Sequence, residues 1–337
     1  MAGVTLKDAL GRCFRDLRVS VTDRCNFRCT YCMPEEIFGH DYTFLTHRDL
    51  LSFAELDRLV RLFYQAGCRK VRLTGGEPLL RPDLADLITS FRTLPDLEIT
   101  MTTNGSLLEQ YAESLKQAGL DRVTVSLDAL DEAVFAALSG GYSSAGRVLD
   151  GIRAAEEAGL LPIKINMVVK RGVNENQILP MAAAFRKPGY ILRFIEYMDV
   201  GSTNQWKADE VVPAAEILKH LEKLYSLVPI DPNYHGEVAR RYRYLEGEAE
   251  IGIIASVTQP FCKDCTRARI SADGKLFTCL FAEQGVDLRE KLRSGAPDAE
   301  INGLFQQVWE QRADRYSETR SEISTAQGRI EMSYIGG

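Results

Sequence analysis

The sequence predicts an α/β protein. A parallel sheet, open or curled into a partial barrel with a wet lumen, is expected to precede a smaller C-terminal domain. Three observations carry this. Strand patterns alternate with helical patterns six times between Leu17 and Tyr197, as in repeated βα units. The strands are apolar on one side only. The turn and small-residue signals collect where the strands end, which is where parallel barrels keep their chemistry.

In chain order, strands are expected at 17–22, 69–74, 97–103, 121–127, 162–169 and 190–197. Between them, Ser52 to Ala66 is the clearest helix. Leu56, Leu59, Val60 and Phe63 recur at helical spacing after a Ser52-x-x-Glu55 start, and Gly67 ends the run. Further helical patterns lie near 106–118, 143–158 and 174–187.

The strand alternation is informative. Leu17, Val19 and Val21 alternate with Arg18, Ser20 and Thr22; Val71 and Leu73 with Arg72 and Thr74; Ile99 and Met101 with Thr100 and Thr102. Val123, Val125 and Leu127 alternate with Thr124, Ser126 and Asp128, and Ile163, Ile165 and Met167 with Lys164 and Asn166. A parallel sheet covered by helices on both faces would be apolar throughout. A barrel with helices outside and a ligand-holding lumen explains both halves of the pattern. Arg18, Arg72 and Lys164 then face inward, with Lys70 on the face of Arg72. Each could be satisfied by an ion pair, Glu196 and Asp128 being available. Taken as a set they suit a polyanion, since phosphate favours Arg and Lys donors.

Pro213 to Tyr225 reads as an amphipathic helix and 231–244 as irregular, with Arg240 and Arg241 as a solvated pair. The domain division is placed at 1–230 and 231–337. Beyond it, Asp273-Gly274 is a hairpin signal flanked by alternating residues.

Composition excludes several classes. The 337 residues are 45% hydrophobic and 26% charged, with a net charge of −6, so no basic field points to nucleic acid. No run is apolar enough to span a membrane. Residues 1–18 hold no apolar signal core, so a reducing, cytoplasmic location is expected. Eight cysteines there point to metal or redox chemistry rather than disulfides. Cys13 and Cys68 stand alone and read as small buried side chains.

The other six cysteines form two triads. Cys25, Cys29 and Cys32 follow the first strand as Cys-x3-Cys-x2-Cys; Cys262, Cys265 and Cys279 are spaced Cys-x2-Cys-x13-Cys. Three thiolates can hold an iron–sulfur cluster with one iron open. A zinc site completed by a distant residue such as His40 or His47, or a zinc ribbon for the second triad, is the alternative. Neither triad has a nearby fourth Cys or His, which favours clusters in both.

The first triad resembles that of the radical S-adenosylmethionine superfamily. The string Asp23-Arg-Cys-Asn-Phe-Arg-Cys-Thr-Tyr-Cys-Met-Pro34 is similar to the branch that cyclises GTP in molybdenum cofactor biosynthesis. Thr74-Gly-Gly-Glu-Pro78, the second triad with Arg267-Ala-Arg269, and the terminal Gly336-Gly337 extend the likeness over nearly the whole chain. The resemblance implies a partial (β/α)6 barrel with a C-terminal cluster-binding domain, two 4Fe-4S clusters, and S-adenosylmethionine contacted by Tyr31, Gly76, Ser126 and Met198. It implies GTP held by Arg18, Arg72, Thr102, Lys164, Arg267, Ala268 and Arg269, with guanine at the second cluster. Arg267, Arg269, Gly336 and Gly337 take catalytic roles in that picture.

The implied reaction converts GTP to 3′,8-cyclo-7,8-dihydro-GTP. The C3′ hydrogen is abstracted, C3′ bonds to C8, and one further electron closes the product. The partners implied are an external electron donor and a downstream enzyme of molybdopterin assembly, with a homodimer as an option. On residues alone, a double-glycine tail would instead be mobile. The competing classes are a peptide-modifying radical enzyme, a zinc-ribbon nucleic-acid binder and a non-catalytic iron–sulfur carrier.

Overall fold

The structure is a computed structural model that describes residues 6–320 and 329–336. Six parallel strands lie side by side in sequence order: β1 (Asp16–Ser20), β2 (Lys70–Thr74), β3 (Glu98–Thr103), β4 (Arg122–Ser126), β5 (Ile163–Val169) and β6 (Tyr190–Glu196). Each lies within two residues of the stretch its alternation marks. Leu17, Val71, Ile99, Val123 and Ile165, one from each of the first five strands, are completely buried in one continuous core. Burying such a side chain contributes about 1.5–3 kcal/mol. That is why the apolar side of every strand turns to the helices and the polar side is left to the lumen.

The helix Phe53–Gln65 starts as its sequence specifies. The Ser52 hydroxyl accepts from the Glu55 amide, the Glu55 carboxylate accepts from the Ser52 amide at 2.7 Å, and Leu59, Val60 and Phe63 are buried. The helices Leu108–Gln117 and Ala145–Glu157 also fall where expected, whereas 174–187 is shorter, a 3-10 turn followed by Ile178–Ala184. Besides the 13-residue Asp298–Glu310, for which no pattern was singled out, two helices between β2 and β5 went unanticipated, Leu84–Arg92 and Glu132–Ser139. Both are of nine residues or fewer, so each shows little more than two turns of periodicity.

The strands after β6 join the same sheet. β9 (Glu250–Ile254) pairs parallel with β6, and β8 (Arg240–Tyr244) and β7 (Leu227–Ile230) follow it antiparallel. At the opposite edge β10 (Arg267–Ile270) pairs parallel with β1, followed antiparallel by β11 (Lys275–Phe277) and β12 (Val286–Asp287). The barrel is open, because the two outermost strands, β7 and β12, do not pair. The Asp273-Gly274 hairpin forms as expected, with Gly274 at φ +88°. Arg241 departs from the solvated reading of the Arg pair: it is mostly buried, bonded to Glu250 at 2.6 Å and to the Asp231 carbonyl at 2.6 Å.

This topology places the second cysteine triad. Because β9 and β10 lie at opposite edges and both run parallel to β1, residues 255–266 must travel from the C-terminal end of the barrel to its N-terminal end across the open side. Cys262 and Cys265 lie at the far end of that crossing. Cys279 follows β11, which descends antiparallel to the same end.

Candidate active site

The first triad sits at the C-terminal end of the barrel in the loop after β1. Arg28 shapes this loop: its guanidinium donates to the carbonyls of Cys25 and Phe27 from within and to that of Phe38 at 2.7 Å. The Thr30 and Arg28 amides donate to the Leu138 and Ser139 carbonyls, tying the loop to the helix Glu132–Ser139. The Gly75-Gly76 pair, which could have been a mere turn, has a packing reason. A Cβ on Gly76 would collide with the Arg24 carbonyl and one on Gly75 with that of Thr22. The Gly76 and Glu77 amides instead donate to Thr22 and Arg24 at 2.9 and 2.8 Å. The bare backbone locks the cysteine loop onto the end of β2 while also lining the cavity.

Glu77 extends this lock. It is fully buried and accepts from the Leu79 amide, the Thr103 hydroxyl and the Asn104 amide. Burial pushes its carboxyl up to about 7 despite those donors. Asn104 reaches back to Asn26 at 2.8 Å and toward the Cys25 sulfur. Tyr31 donates to Asp128 at 2.6 Å, and Asp128 also accepts from the Val168 amide. Ser126 and Met198 border the same space, half-buried.

Below this end the lumen is cationic. Arg18 and Arg72 are register partners on β1 and β2, and Arg269 on β10 is the partner of Arg18 on its other side. Arg72 donates to the hydroxyls of Thr102 and Thr124, both at 3.0 Å. Burial, and then Arg269, Arg72 and Arg267, hold the Arg18 guanidinium well below its usual range. Burial and Arg267 bring Arg269 down to about 9. An arginine keeps its proton in a protein, so these guanidinium charges are buried at a cost to which their cationic neighbours add. Lys164 lies on the lumen side of β5, behind the cavity wall, and makes no hydrogen bond or ion pair among the described residues. Burial, then Arg193, Arg122, Lys70 and Arg72, push it down to about 6.

The carboxylates offered as partners are occupied elsewhere. Glu196 points out of the lumen and accepts from the amides of Ala214, Val257 and Thr258 and from the Thr258 hydroxyl. Asp128 serves Tyr31. Only the N-terminal rim is balanced: Lys70 pairs with Glu98 at 3.2 Å and more loosely with Asp16, and Arg122 pairs with Glu98.

At the rim end, all three cysteines of the second triad border the same cavity as the first triad. Arg267 donates to the Cys265 sulfur at 3.3 Å. Ala268 is fully buried between Arg267 and Arg269, so it offers only backbone. The cavity, about 320 Å³, falls at the lower end of ligand pockets.

The donor sets fit clusters. Burial pushes the Cys25 and Cys279 thiols up to about 11 and Cys29 and Cys32 well above their usual value, so bare thiolates are unfavourable there. Bound iron would supply the missing positive charge and favour their thiolate forms. Burial pushes Cys265 up as well, but Arg267 and Arg312 outweigh it and bring the thiol down to about 6. No three His, Cys, Asp or Glu side chains among the described residues are set to hold one metal ion. A cluster taking one thiolate on each of three irons does not need them to be.

Comparison with known proteins agrees with this geometry. Residues 19–185 match the family model of the radical SAM superfamily, and residues 190–318 that of Molybdenum Cofactor Synthesis C. A GTP 3′,8-cyclase of Acidothermus cellulolyticus is 51% identical over 98% of this chain and 99% of the relative. Those of Xanthomonas axonopodis pv. citri and Staphylococcus epidermidis are 50% and 45% identical over 98% of this chain and 99% of each relative. The chain belongs to the GTP 3′,8-cyclase family. Among solved structures, Streptococcus suis SuiB bound to S-adenosylmethionine shares the fold, with a TM-score of 0.62 and 17% identity over 86% of this chain and 68% of that one.

In this cyclase the C-terminal segment is not loose. Ile335 and Gly336 are buried, Arg269 donates to the Gly336 carbonyl, and a Cβ on Gly336 would strike Thr74. Gly337 lies outside the described residues. Glu331 anchors the segment by accepting from Ser202 and Thr203 in the loop that follows Met198.

Sequence reasoning missed three arginines of the cyclase cavity. Arg193 on β6 bonds Asn166 at 2.9 Å, and burial and Arg72 bring it down to about 9. Its alternation with Leu192 and Phe194 could have revealed it. Arg12 and Arg312, beside the second triad, carry no local signal.

Proposed function

We propose that this protein converts GTP to 3′,8-cyclo-7,8-dihydro-GTP with S-adenosylmethionine and two iron–sulfur clusters, in the first step of molybdenum cofactor biosynthesis. One observation carries the reading: Arg18, Arg72, Arg193 and Arg269 border one cavity between two thiol triads, with no carboxylate partner among the described residues. Buried charges are costly unless paired. A triphosphate supplies the counter-charge.

The first triad would hold one cluster and Cys262, Cys265 and Cys279 the second. With its cosubstrate, a cluster held there would supply the radical chemistry that takes the C3′ hydrogen. The chain's own residues bind, orient and exclude water. Gly76, Ser126 and Met198 border the cosubstrate space, and Tyr31, held by Asp128, stands beside it. Arg18, Arg72 and Thr102 receive the phosphates, with Lys164 adding its charge from behind the cavity wall, and Arg72 is pre-aimed by two threonine hydroxyls, so little ordering is left for binding. Arg267 and Arg269 hold the purine end, and Gly336 closes the lumen through Arg269. We read 1–230 as the barrel unit and 231–337 as the unit that brings the second cluster, and we place the reaction in a reducing cytoplasm. An external donor supplies electrons, and a downstream enzyme takes the product. No helix among the described residues is long and apolar enough to cross a membrane.

The test is release of 5′-deoxyadenosine by anaerobically reconstituted protein, with reductant and S-adenosylmethionine, with and without GTP. GTP-dependent release with transfer of deuterium from the 3′ position supports the reading. Release indifferent to GTP in fully iron-loaded protein overturns the substrate and leaves a peptide-modifying radical enzyme as the leading alternative.

A further inference from the structure

Beneath the second triad lies a buried network that substrate binding does not use. Asp8, on the N-terminal segment before β1, accepts from Arg12 Nε at 2.6 Å and from Arg312 Nη1 at 3.3 Å. The three side chains are almost completely buried: 0% exposed for Asp8, 3% for Arg12 and 1% for Arg312. Both arginines then turn to the cysteine loop. Arg12 Nη1 donates to the Cys262 carbonyl at 2.8 Å, and Arg312 Nη1 to the Cys265 carbonyl at 2.8 Å. Arg312 Nη2 donates to the Cys265 sulfur itself, at 3.1 Å. The Arg312 guanidinium also lies over the Trp309 ring, 4.6 Å from its centre, which fixes its plane.

Two features do not fit a purely structural brace. Arg12 Nη2 is buried without an acceptor, in a side chain that borders the cavity. A buried guanidinium N–H left unpaired costs about 1–3 kcal/mol or more. Arg312 spends its second nitrogen on a thiol sulfur, a weak acceptor while protonated but a strong one as a cluster-ligating thiolate.

We propose that Arg312 and Arg12 are positioning residues of the second cluster, holding its ligand loop and raising its reduction potential, and that they do not act on the nucleotide. This rests on the reading that Cys262, Cys265 and Cys279 hold a cluster. Reduction adds one electron, and so one negative charge, to a group already carrying three thiolates. Hydrogen bonds to its sulfurs and nearby positive charge favour the reduced form. Asp8 offsets part of this charge, as does the one-third-exposed Asp314, 3.3 Å from Arg312 Nε. The bond from Arg312 to the Cys265 sulfur stays direct, and the free Arg12 N–H is available to a cluster sulfide.

The test uses the full chain with Cys25, Cys29 and Cys32 replaced by alanine, so that one cluster is read. It is titrated anaerobically with dithionite as the one-electron donor and followed by electron paramagnetic resonance. Iron is assayed in every sample. Arg312→Gln should lower the ratio of reduced to oxidised cluster at least tenfold at a fixed potential, a shift of 59 mV for one electron. Arg312→Lys, which keeps the charge but loses the two-pronged geometry, should recover part of it. Arg12→Gln should shift it the same way and change the resonance signature. Full iron with an unmoved potential and signature in both glutamine variants overturns the proposal. If Arg312→Gln holds no iron, Asp8→Asn combined with Arg312→Gln removes the stranded carboxylate. That pair of changes is neutral in charge, so its readout is the lost bond to the Cys265 sulfur: a parent-like potential together with a parent-like resonance signature in that double variant overturns it equally. Absence of iron from the parent itself would instead overturn the cluster reading, and this inference with it.

Discussion

Lys164 yields the sharpest prediction, because its charge state should change when the substrate arrives. It is buried, and Lys70 and Arg72 on β2, Arg122 on β4 and Arg193 on β6 all oppose its proton. Glu98, the carboxylate on the same rim, is engaged with Lys70 and Arg122. With Lys164 brought down to about 6, roughly one molecule in a hundred carries the proton at pH 8. A bound triphosphate reverses the local potential. If it restores the proton affinity above pH 9, binding at pH 8 takes up about one proton, at a cost of ~2.3 kcal/mol relative to binding at pH 6, where about half the molecules already carry it. GTP affinity should therefore tighten about tenfold per pH unit as pH falls from 9 toward 6, then level off. Free triphosphate does not mimic this, since its last proton leaves near pH 6. The assay is titration calorimetry without reductant, with S-adenosylmethionine present, at pH 8 in two buffers of different ionisation enthalpy. The slope of observed heat against buffer enthalpy should be near one proton, and near zero in Lys164→Met. A slope near zero in the parent, or one unchanged in the variant, would refute the reasoning. The sign carries over to stability. The folded pKa lies below the unfolded 10.5, so the unfolded chain binds more protons between pH 6 and 10. The nucleotide-free protein should gain stability as pH rises through that window, and Lys164→Met should flatten the gain.

Arg72→Leu, which strips the lumen of a cation held by two threonines, should raise the Kd for GTP about 10- to 150-fold, from ~1.5–3 kcal/mol of charge-assisted bonding; equilibrium dialysis checks this, and S-adenosylmethionine binding should hold. Gly76→Ala puts a methyl against the Arg24 carbonyl. It should cost about 1–3 kcal/mol in a denaturant titration and weaken retention of the first cluster, with the second cluster's spectrum unaltered. Glu196→Leu strands the amides of Ala214, Val257 and Thr258 and should destabilise the chain by several kcal/mol. Cys279→Ala should halve the iron content and leave S-adenosylmethionine cleavage no longer stimulated by GTP.

Much of the site was legible in the residues. Arg18 and Arg72 were placed in the lumen by their position between apolar strand residues, and period-two alternation is a local property that burial of the opposite face enforces. The cysteine triads announced themselves by spacing. The partner assignments failed for Glu196 because a side chain's direction at the end of a strand depends on what packs outside it. Here the Val257 and Thr258 amides and the helix Ala214–Leu221 claim it. The tail misled for a similar reason. Two terminal glycines have no packing signal of their own, yet Arg269 and Thr74 leave a space that suits a residue without a Cβ at φ +72°.

The sequence by itself determined the six-strand βα alternation, the polar lumen and both sets of thiols. Each is written in spacings of fewer than about twenty residues, and local spacing survives without knowledge of the fold. Only the tertiary structure decided that β9 and β10 flank the same sheet, so that the crossing between them carries Cys262 and Cys265 to the far end of the lumen. Only it brought Asp8, Arg12 and Arg312 together, residues some 300 positions apart. Such contacts follow from which strand edges are left to pair and which charges are left without water, and neither is settled until the chain has closed on itself.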